Sequence, residues 1–206
     1  MVMKEDPLNI IITGVGGQGN ILASAILAST AVQDGLNVSV GETYGASQRG
    51  GAVMSHVRLY GKAQCGPLIP EGKAHLILGF EPVECLRSIG VFGNQNTKVI
   101  VNPRPVYPVD VLSGEATYPS IEEVLRAIKE LVDVVNVVEA TKIAMEAGNV
   151  VLQNIVMAGC LIGSDFTPLR SETAKDVIKE FFPNKTETYL KAFELGVQEV
   201  RKTKPL

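Results

Sequence analysis

Apolar positions along the chain follow two periods that take turns. Leu8–Thr13 is a nearly unbroken apolar run with three isoleucines, the pattern of a strand buried on both faces of a parallel sheet. A glycine-rich stretch, Gly14–Gly19, follows it. Ile21–Val32 then recurs at helical spacing and meets a stop signal at Gly35, and Leu36–Val40 reads as a second short strand. Glu42–Gly51 is polar, glycine-rich and without period, so it reads as a loop. Val53, Ser55, Val57 and Leu59 alternate with Met54, His56, Arg58 and Tyr60, which predicts a strand with unlike faces.

The same alternation of elements runs to the C-terminus. Leu76–Phe80 and Lys98–Asn102 are further buried strands, with a helix between them that opens on Pro82. Asn102–Pro119 holds Pro103, Pro105, Pro108 and Pro119 and reads as extended or looped rather than helical. Ser120 and Glu123 are spaced as a capping box ahead of the amphipathic helix Ile121–Leu131. Val134–Val138 is a strand and Ala140–Ala147 a short helix ended by Gly148. Val150–Ile162 is apolar nearly all round and predicts a buried helix. Amphipathic helices at Ser171–Phe182 and Thr186–Lys202 close the chain. Strands alternating with helices predict an α/β fold, a Rossmann-like, mostly parallel sheet with flanking helices in a single domain spanning 1–206.

Composition narrows the functional classes. The chain has 206 residues, 46% of them hydrophobic and 20% charged, enough to bury one core without disulfides or metals. A formal net charge of −3, with the basic residues scattered, predicts no nucleic-acid and no membrane-surface partner. Lys4, Glu5, Asp6 and Pro7 lead directly into the first strand, which fits no signal peptide, and no apolar stretch is long enough to span a bilayer. Cys65, Cys85 and Cys160 are an odd, widely spaced set, as expected in a reducing cytoplasm.

Two segments carry candidate chemistry. Gly14, Gly16 and Gly19 have the G-x-G-x-x-G spacing and sit between a buried strand and a helix start. Such a turn lets a phosphate approach the backbone and meet the free N–H groups of the helix. Glu42, at the end of the second strand, lies near the position of a ribose-binding acid, slightly later than usual. The motif by itself leaves a bound nucleotide and a purely structural turn open, and Gly17 and Gln18 are not required by a dinucleotide site. The second segment, Ser47-Gln48-Arg49-Gly50-Gly51, offers an amide and a guanidinium at the edge of the sheet where ligands gather. His56 is expected to be solvated or at an interface, His75 a satisfied structural residue, and Cys85 an inert buried thiol at a helix start.

Taken together, Gly14-Val15-Gly16-Gly17-Gln18-Gly19, Gly41-Glu42, Ser47-Gln48-Arg49-Gly50-Gly51 and the strand Val53–Leu59 resemble the gamma-type domain of 2-oxoacid:ferredoxin oxidoreductases. Pro67–Gly72 and Gly79-Phe80-Glu81-Pro82 are similar to the same family, within which the likeness is to the small (beta) subunit of the indolepyruvate enzymes. The resemblance implies a complex that converts a 2-oxoacid, here an aryl pyruvate, and CoA to acyl-CoA and CO2 while reducing ferredoxin. It implies thiamine diphosphate, Mg and iron–sulfur clusters in a large partner subunit. This chain has no C-x-x-C pair, no Gly-Asp-Gly motif and only two histidines, so it is expected to hold no metal and no cofactor and to be inactive alone. Gly14, Gly16, Gly17, Gln18 and Gly19 are then a candidate seat for the CoA phosphates. Glu42, Ser47, Gln48, Arg49, Gly50 and Gly51 are a candidate active-site wall or interface. Self-association of the isolated chain would follow from an orphaned interface. Two other readings compete: an NAD(P)-binding Rossmann oxidoreductase, and a nucleotide-binding regulatory module.

Overall fold

The computed structural model describes residues 5–44, 51–61 and 64–202. Its frame is one six-stranded sheet: β1 (Leu8–Val15), β2 (Asn37–Tyr44), β3 (Ala52–Tyr60), β4 (Leu76–Gly79), β5 (Lys98–Val101) and β6 (Val134–Val137). The strands lie in the order β2-β3-β1-β4-β5-β6. β1, β4, β5 and β6 pair in parallel, and β3 is antiparallel to both β1 and β2. Only β3 therefore runs against the common direction. Every residue of β1 is buried, as its apolar run predicts for a central strand.

Alternation along the strands sends side chains to two cores. On one face Ile10, Ile12, Leu59, Leu78 and Ile100 pack with α1 (Asn20–Gln33), α5 (Ala140–Ala147), α6 (Gln153–Gly163), α7 (Ser171–Phe181) and α8 (Thr186–Lys202). On the other, Ile11, Ile77, Val99 and Val101 pack with α2 (Pro82–Phe92), α4 (Ile121–Leu131) and Ile69. The capping box at α4 forms as its spacing predicts, with Ser120 and Glu123 bonded reciprocally.

Three expectations need correction. β2 does not stop at Val40 but continues to Tyr44, because pairing with β3 brings Ser55 opposite Glu42 and gives that carboxylate a partner inside the sheet. The proline-rich stretch contains one helical turn, α3 (Val109–Leu112), with Pro108 as its N-cap, where a missing N–H costs nothing. The helix expected from Val150 begins as a 3-10 turn at Val150–Leu152, exposed at Val150 and Val151, and is α-helical from Gln153 and buried throughout from Asn154. Among the described residues no helix is long and apolar enough to cross a membrane.

Candidate functional site

The glycine turn stands where β1 ends and α1 begins, at the C-terminal edge of the parallel strands. It is closed by one internal bond and stitched to its neighbours on two sides. The Gly16 N–H donates to the Gly51 carbonyl at 2.9 Å. Gln18 folds back so that its Oε1 accepts from the Val15 N–H at 2.7 Å, while its Nε2 donates to the Phe80 carbonyl at 3.1 Å. That amide occupies the space a side chain at position 14 would need: a Cβ on Gly14 would lie 2.6 Å from Gln18 Oε1 and 2.9 Å from Phe80 Cβ. Gly19 is the N-cap of α1 with φ 88°, and among the described residues no side chain caps the helix. The first-turn N–H groups of α1 therefore have no acceptor within the helix.

A second helix start faces the first. Gln153 and Asn154 open α6, which continues directly from the 3-10 turn Val150–Leu152. Asn154 packs so tightly on the turn that a Cβ at Gly19 would lie 2.3 Å from its Nδ2. Its Oδ1 accepts from the Ile155 N–H, which leaves the amide nitrogen for other partners. Gln153 is fixed in a similar way. Asn102 Nδ2 donates to Thr141 Oγ1 at 3.0 Å, and Thr141 Oγ1 lies 3.1 Å from Gln153 Oε1, so the hydroxyl proton goes to that oxygen and the Gln153 NH2 remains a donor.

Between these helix starts lies a cavity of about 400 Å3, lined by Gly17, Gln18, Gly19, Gln153, Asn154 and, from the proline-rich segment after β5, Arg104. Val106, Val150 and Val151 complete its wall with Pro105. One guanidinium, two side-chain amides and the start of α1 point to an anion, and among the described residues no carboxylate lines the space to oppose one.

The sequence model of the family described as pyruvate ferredoxin/flavodoxin oxidoreductase matches residues 9–199. The chain belongs to this family. Indolepyruvate oxidoreductase subunit IorB of Pyrococcus horikoshii is 44% identical over 201 residues, covering 97% of this chain and 98% of that one. Among solved structures, the pyruvate oxidoreductase subunit PORC of Thermotoga maritima has a TM-score of 0.71 at 20% identity, with 98% and 99% of the two chains covered. The 2-oxoglutarate:ferredoxin oxidoreductase of Magnetococcus marinus, solved with 2-oxoglutarate, coenzyme A and succinyl-CoA bound, has a TM-score of 0.73 at 21% identity. There the similarity covers 98% of this chain and 32% of the longer one. Both structural likenesses establish the fold.

Within this oxidoreductase fold the other candidate residues divide. Glu42 is engaged inside the protein, with Ser55 Oγ at 2.5 Å and Ser24 Oγ at 2.9 Å from its two oxygens. β3 lies between β2 and β1, which sets the Glu42 strand two spacings, roughly 10 Å, from the glycine-turn strand. In a dinucleotide fold those strands are neighbours, so the ribose-acid geometry is absent and the NAD(P) reading loses its support. Ser47, Gln48, Arg49 and Gly50 lie outside the described residues. Gly51 is described, and its carbonyl accepts the Gly16 N–H at the turn.

His56 is corrected from a solvated or interface residue to a buried one, 2% exposed, because the segment around Ile69 covers its face of β3. Its Nδ1 accepts from the Ile69 N–H at 3.2 Å, and its ring meets Phe92 edge-on. His75 is structural as expected, its Nδ1 accepting from the Asn9 N–H at 2.9 Å. Cys85 and Cys160 are buried in the two different cores, and burial pushes both thiols far up, so the residues present do not fit an iron–sulfur cluster. Among the described residues no three His, Cys, Asp or Glu side chains converge as metal ligands would.

Sequence reasoning missed Arg104, Gln153 and Asn154. A signal was present for each. Arg104 is a lone cation between Pro103 and Pro105 directly after a buried strand, and Gln153 and Asn154 interrupt an otherwise apolar helix.

Proposed function

We propose that this chain is the small subunit of a cytoplasmic indolepyruvate ferredoxin oxidoreductase and that it supplies the seat for the phosphates of CoA. The donor-lined cavity between the starts of α1 and α6 carries that reading of its role. A diphosphate or 3′-phosphate placed there would meet the Arg104 guanidinium, the amides of Gln153 and Asn154 and the first-turn N–H groups of α1. The substrate class follows the Pyrococcus relative, whose name is that of an indolepyruvate oxidoreductase subunit and whose length this chain matches almost throughout.

In this reading the large partner holds thiamine diphosphate, Mg and the iron–sulfur clusters, which supply the decarboxylation and the electron path to ferredoxin. The small subunit binds and orients the acyl acceptor. Val109, Leu112 and Val151 are 76%, 73% and 66% exposed, and they belong to the segments that border the cavity; such apolar exposure beside a functional edge supports a protein partner there.

The test is co-purification of the tagged chain from its own cells, followed by assay for thiamine diphosphate, iron and CoA-dependent ferredoxin reduction with aryl pyruvates. A large partner with those cofactors is the expected result, and Gly16→Asp in that complex should raise the KM for CoA. A chain recovered alone, or a Gly16→Asp complex with unchanged CoA kinetics, would overturn the respective halves of the proposal.

A further inference from the structure

Arg104 is exposed, and it takes part in none of the ion pairs found among the described residues. Its own side chain therefore does not hold it in the cavity; its backbone must. Pro103 and Pro105 stiffen that backbone on either side, so the direction of Arg104 follows from wherever the segment is anchored.

The anchor is Glu81. Residues 102–119 leave the end of β5, pass the donor-lined cavity, form α3 and return to α4. Glu81, only 1% exposed, is the N-cap of α2, where its Oε2 accepts from the Glu84 N–H at 2.9 Å. Its Oε1 accepts from two points on the segment: the Val106 N–H on the outgoing limb, at 3.5 Å, and the Tyr118 hydroxyl on the returning limb. Val106 is two residues from Arg104. Tyr118 is braced in turn by an edge-on contact with Tyr107, ring centroids 5.1 Å apart.

The segment starts from the buried Asn102, whose N–H donates to the Gly79 carbonyl at 2.9 Å and whose Nδ2 donates to Thr141 Oγ1 at 3.0 Å. Val106 lines the donor-rich cavity on one side and, on the other, a second cavity of about 360 Å3 bounded by Glu84, Arg87, Asp110, Val111 and Tyr118. With open space on both flanks of Val106, the bonds to one buried carboxylate fix the course of the segment beyond Asn102. The N-terminus of α2 and three donors offset the cost of burying that charge.

We infer that Glu81 and Tyr118 are positioning residues that hold the 102–119 segment so that Arg104 stands in the anion cavity beside the glycine turn. The inference rests on the reading of that cavity as the CoA phosphate seat. Tyr118→Phe removes one anchoring bond without emptying the site, and Glu81→Gln keeps an acceptor for the α2 cap.

The experiment compares Tyr118→Phe, Glu81→Gln, Arg104→Ala and the Tyr118→Phe/Arg104→Ala double variant in the complex with the large subunit. Arg104→Ala should raise the KM for CoA about tenfold, and Tyr118→Phe about threefold to fivefold, with kcat and the 2-oxoacid KM little changed. Glu81→Gln should fall between wild type and Tyr118→Phe. The double variant should be no worse than Arg104→Ala alone, because Tyr118 acts only through Arg104. Amide exchange at Arg104, Val106 and Tyr107 should accelerate in Tyr118→Phe while α2 stays protected.

If Arg104→Ala leaves CoA kinetics unchanged, the phosphate-seat reading falls. If Arg104→Ala acts but Tyr118→Phe changes neither the CoA KM nor the exchange of Arg104, Val106 and Tyr107, or if the two defects multiply, the positioning role falls and the seat stands.

Discussion

Gln18 and Phe80, at the ends of two neighbouring parallel strands, are joined by a 3.1 Å hydrogen bond from the Gln18 side-chain amide to the Phe80 carbonyl. The other end of the same amide holds the Val15 N–H, so one buried side chain closes the glycine turn onto the sheet. Gln18→Ala leaves both partners without Gln18 in a buried site, which should lower stability by about 2–3 kcal/mol. Urea unfolding would register this as a lower midpoint at unchanged slope. A midpoint within error of wild type would mean that the turn closes without this bond.

Gly19 meets a steric and a conformational demand at once. Its φ of 88° disfavours any side chain, and a Cβ there would run into Asn154. Gly19→Ala should cost about 2 kcal/mol or more, and Asn154→Ala in the same chain should recover part of the loss by removing the clash but not the strain. Additive losses in the double variant would contradict this packing.

Gly196 of α8 sets how closely that helix approaches α6. A Cβ at Gly196 would lie 2.1 Å from the Val156 carbonyl oxygen and 3.1 Å from the Cys160 nitrogen, both backbone atoms that cannot turn aside. Gly196→Ala should therefore push the helices apart and destabilise by about 3 kcal/mol. Gly90, on α2, has nothing beyond its own helix within 4 Å of the same position among the described residues, and Gly90→Ala should be stabilising by up to about 1 kcal/mol. Thermal unfolding of the two variants should shift in opposite directions.

Both described histidines accept a backbone N–H at Nδ1, His56 from Ile69 and His75 from Asn9, and a proton on either Nδ1 would turn that acceptor into a donor facing a donor. Burial, with Arg58 nearby, lowers His56 below its ordinary value of 6.5; burial also lowers His75, where Glu5 opposes and Lys73 adds to the shift. The unfolded chain consequently binds more protons than the native one below pH 6.5. Stability should be fully present above that value and decline as the pH falls toward the lowered native pKa of each ring. His75→Gln, which keeps an acceptor without titrating, should flatten the decline measured by unfolding between pH 7 and about pH 5. An unchanged slope would mean that His75 titrates alike in both states.

Much of the site is legible in the sequence, and for local reasons. The strand, glycine turn and helix are contiguous, so the spacing of Gly14, Gly16 and Gly19 after a buried run already marks a glycine-capped helix start, the geometry that favours anions. Glu42 misleads for the opposite reason. Its interval from the turn suggests a ribose acid, but the interval says nothing about which strand lies between, and β3 does.

Contiguous segments thus declare themselves: β1 and its turn, the capping box at Ser120 and Glu123, the two C-terminal helices, and through its motifs the family. Hydrophobic period and capping chemistry act over a few residues, and one chain displays them in order. The tertiary structure alone decides the reversal of β3, the burial of His56 and the meeting of Arg104, Gln153 and Asn154 with the glycine turn. Those outcomes depend on which strand ends and helix starts reach the same edge of the sheet, a relation between segments far apart in sequence that no local pattern encodes.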